Sequence, residues 1–243
     1  MFSVLIPTKN RPDLLERALR SVLRQQGPSW EAIVADDGDG SGEAAVLAMG
    51  DSRITALRTG ARGQVPARNM ALARARAPFI AFLDDDDWWE APDHLAHLAR
   101  ALAAGADLAY ADGRIVREND GGVEIPFLAG IDQEAIRHDN MLLVSGIAFT
   151  REAATRVGPF DETLPIYWDW DFYLRLAAGG AHFTHAGGDG VRISARQGTA
   201  SSETHRALRQ AQLDRLSALH GLTGLVLRNH ESIALDQAAA LVE

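Results

Sequence analysis

The 243-residue chain contains no cysteine, which excludes disulfides and thiolate metal sites and leaves its redox compartment open. It has no run of 18 apolar residues, so no helix is expected to span a membrane. A basic stretch followed by a long apolar core is also missing at the start, where Phe2-Ser3-Val4-Leu5-Ile6 reads as a strand and not as a signal peptide. The cytoplasm is therefore the expected location, and any membrane contact is expected from the periphery only. Positive charge is scarce: 24 Lys and Arg against 33 Asp and Glu leave a net charge of -9. Such a balance disfavours a phosphate backbone and argues against nucleic acid as a partner. Internal repeats, low-complexity tracts and the composition of disordered chains are absent as well.

What is present is an alternation of strand and helix in a chain whose length suits one large α/β domain, alone or with a small extension. Val4-Leu5-Ile6 is a short apolar run stopped by Pro7, which reads as a buried strand. Leu14 to Leu23 carry apolar residues at helical spacing. Strands are then expected at Glu31 to Ala35, Arg53 to Leu57 and Pro78 to Leu83, with helices from Ser41 to Met49 and from Pro66 to Arg76 between them. Repeated β-α-β units with short connections predict a mostly parallel sheet with helices on both faces. Further on, a helix is expected from Pro92 to Ala104, a strand over Leu108 to Ala111 and a hairpin around Asp120-Gly121-Gly122. A loop with a short helix should fill 127–140. A strand over Leu142 to Phe149 and helices over Arg151 to Val157 and Trp168 to Ala178 should follow. Short strands at His182 to His185 and Val191 to Ser194, a helix from Ser202 to His220 and a last segment from Ile233 to Val242 complete the reading.

In open parallel sheets, ligands sit beyond the carboxyl ends of the strands. Three polar clusters follow strand ends: Thr8-Lys9-Asn10, Asp36-Asp37 and Asp84-Asp85-Asp86-Asp87. Four carboxylates after a buried strand are costly unless solvated or neutralised by a cation. Their hard oxygens suit Mg²⁺ or Mn²⁺, which take one or two protein carboxylates and leave positions for substrate phosphates. A solvated acidic turn, or caps for the helix at Pro92, is the plainer alternative. Asp36, nearest its strand end, is expected to contact a base or ribose, although Asp-Gly sequences also form simple turns. Arg62, Arg68 and Asn69 surround a Gly-rich loop and a helix start, where Arg can meet a diphosphate; for Arg62 a solvated loop charge is favoured. Trp88-Trp89 beside the acidic run could offer a flat wall or belong to the core. In Tyr167-Trp168-Asp169-Trp170-Asp171, aromatic surroundings would lift a carboxylate pKa toward general-base values, which favours catalysis for Asp169. Asp171 is expected to pair with Arg175. His182 and His185 read as structural.

These motifs, in this order, resemble the inverting family 2 glycosyltransferases of the GT-A fold over roughly residues 2–200. Val4-Leu5-Ile6-Pro7-Thr8-Lys9-Asn10-Arg11 is similar to the family's first strand, Ile33 to Gly38 to its nucleotide-contacting segment, and Ala67-Arg68-Asn69 to the stretch before its metal strand. Phe82 to Asp87 resembles its F-L-D-x-D-D motif, and Val157 to Glu162 its G-G-F-D-E segment near the acceptor. Trp168 to Leu176 resembles E-D-x-D-L-x-L-R-L, whose first Asp, the usual base, falls on Asp169. The chain departs from the pattern at Trp168, where Glu is usual, and at Ser194, where many members carry a metal-contacting His.

The resemblance implies a single GT-A domain: a Rossmann-like α/β/α sandwich with a mostly parallel central sheet and a C-terminal helical extension. It implies a nucleotide-sugar-binding half over 1–112, an acceptor-binding half over 113–200 and the extension over 201–243. It implies transfer of a sugar from a nucleotide-diphosphate sugar, with a UDP-sugar as the default, to an acceptor hydroxyl. The expected nucleotide contacts are Pro7, Thr8, Asn10, Arg11, Asp36, Arg68, Asp84 and Asp85. Asp86 and Asp84 would hold Mn²⁺ or Mg²⁺, and Trp168, Asp171 and Trp88 would lie near the sugars. The acceptor class (saccharide, lipid-linked or small molecule) stays open, as does a homodimer. Two rivals remain. A sugar-phosphate nucleotidyltransferase would want a Gly-rich loop after the first strand, which Thr8-Lys9-Asn10-Arg11-Pro12 lacks. A non-catalytic nucleotide-sugar-binding protein could share the fold.

Overall fold

The structure, a computed structural model, describes residues 1–130, 134–196 and 205–240. Strands β1 (Phe2–Thr8), β2 (Trp30–Asp36), β3 (Ile54–Arg58) and β4 (Phe79–Phe82) alternate with helices α1 (Pro12–Leu23), α2 (Ser41–Met49) and α3 (Gln64–Arg74). Every residue of β1 and β2 is buried, as expected of strands covered on both faces. Helix α1 takes Pro12 at its first turn, where the missing N–H costs nothing. It turns Leu15, Ala18, Leu19 and Val22 into the core.

After β4 come β5 (Trp88–Trp89), α4 (His94–Ala103), β6 (Leu108–Tyr110), β7 (Gly113–Arg117) and β8 (Val123–Phe127). Next are β9 (Ile147–Thr150), α5 (Arg151–Val157), α6 (Trp168–Ala178), β10 (Phe183–His185), β11 (Val191–Ala195), α7 (Arg206–His220) and α8 (His230–Ala240). Seven strands form the main sheet in the order β10-β6-β9-β4-β1-β2-β3, parallel except for β9. A second sheet, β5-β11-β7-β8, stands beside the carboxyl ends of the first and contains the expected 120–122 hairpin. The expected start of α7 at Ser202 and the end of the last segment at Val242 lie outside the described residues.

Two expectations are corrected. The strand foreseen over Leu142 to Phe149 begins only at Ile147, because Val144–Gly146 forms a 3₁₀ turn. The turn is demanded by Ser145: its hydroxyl donates to Asp87 (2.6 Å) and accepts the Asp84 N–H (3.0 Å), while its carbonyl accepts the Trp89 indole N–H (2.7 Å). Trp88 and Trp89 make no wall of the cleft described below. Trp89 is fully buried, and Trp88 lies outside that cleft beneath the Arg17 guanidinium at 4.1 Å.

A polar joint ties the amino ends of β1 and β2 together. Glu31 accepts from the Ser3 hydroxyl (2.7 Å) and from the backbone and guanidinium of Arg76 (2.9 and 3.0 Å), tying β1 and β2 to the chain entering β4. Burial alone would raise the Glu31 pKa, but these donors outweigh it and leave it below the ordinary value. A carboxylate depressed in the folded state stabilises fully above its unfolded pKa, about 4.3, and loses that contribution as pH falls through the lower folded value. Glu31→Gln is therefore expected to cost about 1.5–3 kcal/mol at pH 7. In urea titrations the gap to the parent protein should narrow below about pH 4.

Candidate active site

The carboxyl ends of β1, β2 and β4, the start of α6 and the C-terminal helices enclose one cleft of about 340 Å³, within the range of small-molecule sites. Its placement follows from aromatic packing. Trp168, the first residue of α6, meets Phe82 of β4 and Phe160 edge-on, with ring centroids 5.4 and 5.0 Å apart. Phe160 and Phe172 continue the cluster at 4.9 Å. The start of α6 is thereby pinned against the end of β4, so Asp169 opens onto the same cavity as Asp84 to Asp87. Tyr167, just before the helix, adopts φ 65°, a left-handed conformation that costs roughly 1–2 kcal/mol and turns the chain into the cleft.

The acidic run is held by cations and hydroxyls already present. Thr8 Oγ1 donates to Asp85 at 2.7 Å, and Arg11 Nη1 donates to Asp85 (3.2 Å) and Asp86 (3.1 Å). Arg17 donates to the Asp86 carbonyl. Arg68 donates to Asp84 at 2.5 Å, lies 4.4 Å above the Trp168 ring, and keeps a buried Nε without a partner. Asp87 is an architectural carboxylate, taking the Ser145 hydroxyl (2.6 Å) and the Ser194 N–H (2.9 Å). Burial lifts Asp85 to about 6, aided by Asp86 and Asp84 against the pull of Thr8 and Arg11. Burial and the neighbouring charges also raise Asp86, and raise Asp87 well above the ordinary range. Crowded, desolvated carboxylates of this kind are relieved by a cation. Asp84 and Asp86 retain 31% and 16% side-chain exposure, toward the cleft, and their oxygens suit a hard divalent ion. Among the described residues no group of three or more His, Asp or Glu is arranged to hold a metal. An ion here would draw on Asp84 and Asp86, the two carboxylates of the run with the exposure to meet it. Ser194 lines the cleft in the place of the expected His, and its hydroxyl is donated to Glu118 at 2.9 Å.

Asp169 is buried, with Oδ2 accepting from Asn140 Nδ2 at 2.8 Å. Burial raises its pKa, against the opposing effects of Asn140, His230 and the backbone N–H groups at the start of α6.

Pro7, Thr8, Arg11, Arg68, Asp84, Asp85, Asp86, Trp168 and Asp169 all line the cleft. Four expected residues do not. Asp36 is fully buried, and its carboxylate accepts the N–H groups of Gly38 (2.8 Å) and Glu43 (3.0 Å), fastening the start of α2. Asp37 lines the cleft instead, holding Thr59 Oγ1 (2.6 Å) and the N–H groups of Arg62 and Gly63 (2.8 and 3.0 Å). Asn10 accepts the Asp39 N–H at 2.8 Å, so close to Gly38 that any side chain there would collide with its Oδ1. Asp171 pairs with Arg175 at 2.8 Å and with His220 of α7 at 2.9 Å, away from the cavity. Trp88 lies outside, as described above. The reading of the sequence missed Asn140, Arg209, Arg228 and His230, which complete the cleft from loop and C-terminal segments. No pattern singles them out: Arg228 and His230 sit in the polar run Arg228-Asn229-His230-Glu231-Ser232, Asn140 ends Arg137-His138-Asp139-Asn140, and Arg209 is one of several polar residues of α7.

Residues 3–160 match the model of the family described as glycosyl transferase family 2. An uncharacterized glycosyltransferase, YwdF of Bacillus subtilis, is 30% identical over 93% of this chain and 87% of its own length. A UDP-Glc:alpha-D-GlcNAc-diphosphoundecaprenol beta-1,3-glucosyltransferase of Escherichia coli, WfgD, is 31% identical over 73% of this chain and 69% of its own. Among solved structures, Staphylococcus aureus TarS 1–349 in complex with UDP-GlcNAc superposes with a TM-score of 0.66 at 20% identity, covering 82% of this chain but only 59% of that one. The mannosyltransferase PcManGT of Pyrobaculum calidifontis, in complex with GDP-Man and Mn²⁺, gives a TM-score of 0.62 at 18% identity over 100% of this chain and 80% of its own. At such identities the structural likeness speaks for the fold, which is GT-A.

Proposed function

The chain belongs to glycosyl transferase family 2, and from that premise we infer that it transfers a sugar by a single displacement, with inversion, in which Asp169 is the general base. It is a glycosyltransferase that depends on a nucleotide-sugar donor. The observation that carries the finer reading is the meeting of Asp169 with the acidic run in one cleft, although they lie 82 or more positions apart along the chain. UDP is the preferred nucleotide, because the names of WfgD and of the TarS complex both carry a UDP-sugar. The nucleoside would lie along the ends of β1 and β2, against Pro7, Thr8 and Asp37. Arg68 suits the diphosphate, since its buried Nε has a hydrogen still to give. Asp86 and Asp84 would hold Mn²⁺ or Mg²⁺, which when bound offsets the negative charge of the diphosphate.

Asp169 has the burial to be a base near neutrality, and Asn140 orients it. It takes the proton of the acceptor hydroxyl as that oxygen forms a bond to the anomeric carbon and the bond to the diphosphate breaks. The excluded, pre-arranged cleft contributes by orientation as much as by proton transfer. Among the described residues no helix is long and apolar enough to cross a membrane.

A thermal-shift screen of nucleoside diphosphates tests the donor assignment, since a ligand that binds the folded state raises its melting temperature. UDP with Mn²⁺ is expected to raise it by several degrees, more than UDP alone. No shift with any nucleoside diphosphate would contradict the reading.

A further inference from the structure

The C-terminal helix reaches the cleft with its first residue. His230 opens α8, and α8 packs on β8, so the ring stands edge-on to Phe127 of that strand at 5.4 Å. The ring is met by the backbone carbonyls of Asn140 and Leu142. Asn140 in turn donates its side-chain amide to Asp169 Oδ2 at 2.8 Å. A continuous path therefore runs from α8 through one loop residue to the carboxylate at the start of α6, and all three side chains line the same cavity.

We propose that His230 is a positioning residue for Asp169: by holding the backbone of Asn140 it fixes the amide that occupies Oδ2 and so sets how the other oxygen is presented to the acceptor. This rests on the reading of Asp169 as base. The C-terminal helices then belong to the active site, and their docking completes it.

The charges around the pair define what can be measured. His230 faces Asp169 and Asp139, and Arg228 pairs with Asp139 at 2.7 Å. Asp169 faces His230 across the cleft, with Tyr167 and Tyr173 on its own segment and Arg209 of α7 against Tyr167. Burial lowers the His230 pKa, while the two carboxylates pull it back up. An imidazolium beside Asp169 favours its carboxylate, so removing the imidazole makes the base hold its proton to higher pH.

The test uses the full chain. Histidine ring resonances are titrated by NMR in the parent protein and in Asp169→Asn, with His230→Gln assigning the signal. The His230 pKa is expected to fall in Asp169→Asn, and an unchanged value would overturn the proposal. In parallel, hydrolysis of UDP-glucose is followed by UDP release, with water as acceptor. His230→Ala should lower kcat about tenfold or more with little change in KM, and His230→Gln should recover part of the rate with the acid limb of its pH profile moved upward. Parent-like kcat and pH profiles in both variants would also overturn it. A packing role alone would lower the melting temperature without moving the limb. Should His230→Ala fail to fold, His230→Gln, which keeps a donor and similar bulk, decides. Turnover by Asp169→Asn would defeat the base assignment itself; an inactive Asp169→Asn beside parent-like His230 variants defeats this inference alone.

Discussion

Asp169→Asn is expected to reduce sugar transfer by about 10³-fold while leaving donor affinity unchanged. General-base catalysis contributes about 10²–10⁴-fold, and an amide cannot take the proton. The change is conservative in shape, and Asn140 can still donate to the remaining carbonyl oxygen, so the fold around α6 should persist. Because Asp169 lies at the start of α6 and the proposed nucleotide contacts lie at the ends of β1, β2 and β4, KM for the donor should not move. A fall in kcat at constant KM is the signature of an interaction made only in the transition state. Steady-state kinetics with UDP-glucose decide the matter, and retained turnover would contradict the assignment.

Asp86→Ala is expected to remove the dependence of nucleotide binding on Mn²⁺ and to lower kcat/KM by about 10²-fold or more, since charge neutralisation by a bound ion is worth several kcal/mol. Its effect on the empty protein should be opposite in sense. Asp86 raises the pKa values of Asp85 and Asp87 by repulsion, so its loss relaxes two buried neighbours. The melting temperature without metal should hold or rise, which separates a lost ligand from a damaged fold. Calorimetric titration with UDP, with and without Mn²⁺, is the readout. Equal metal dependence in the variant and the parent would remove Asp86 from the metal site.

The parts of this architecture that the sequence makes legible are those with local causes. Apolar runs ending in Pro7, Asp36 and Asp84 mark strands whose ends deliver polar side chains to one rim, and the main sheet follows. The second sheet leaves less trace. Strand β5 is two residues long, too short for any period to show, and among the described residues its strand partner is the distant β11. The exchange of Asp36 for Asp37 has a simple origin: neighbouring side chains at a strand end point to opposite sides, so one step decides between the start of α2 and the cleft. Asn140 and His230 lie beyond local reasoning, because their role exists only once α8 docks on β8 and brings residue 230 to a loop some 90 positions earlier.

The most direct measurement is a crystal structure of Asp169→Asn with UDP-glucose and Mn²⁺. The account predicts density for the diphosphate between Arg68 and Asp86, with the anomeric carbon turned toward residue 169. A nucleotide bound elsewhere on the molecule, or a sugar directed away from that side chain, would contradict it.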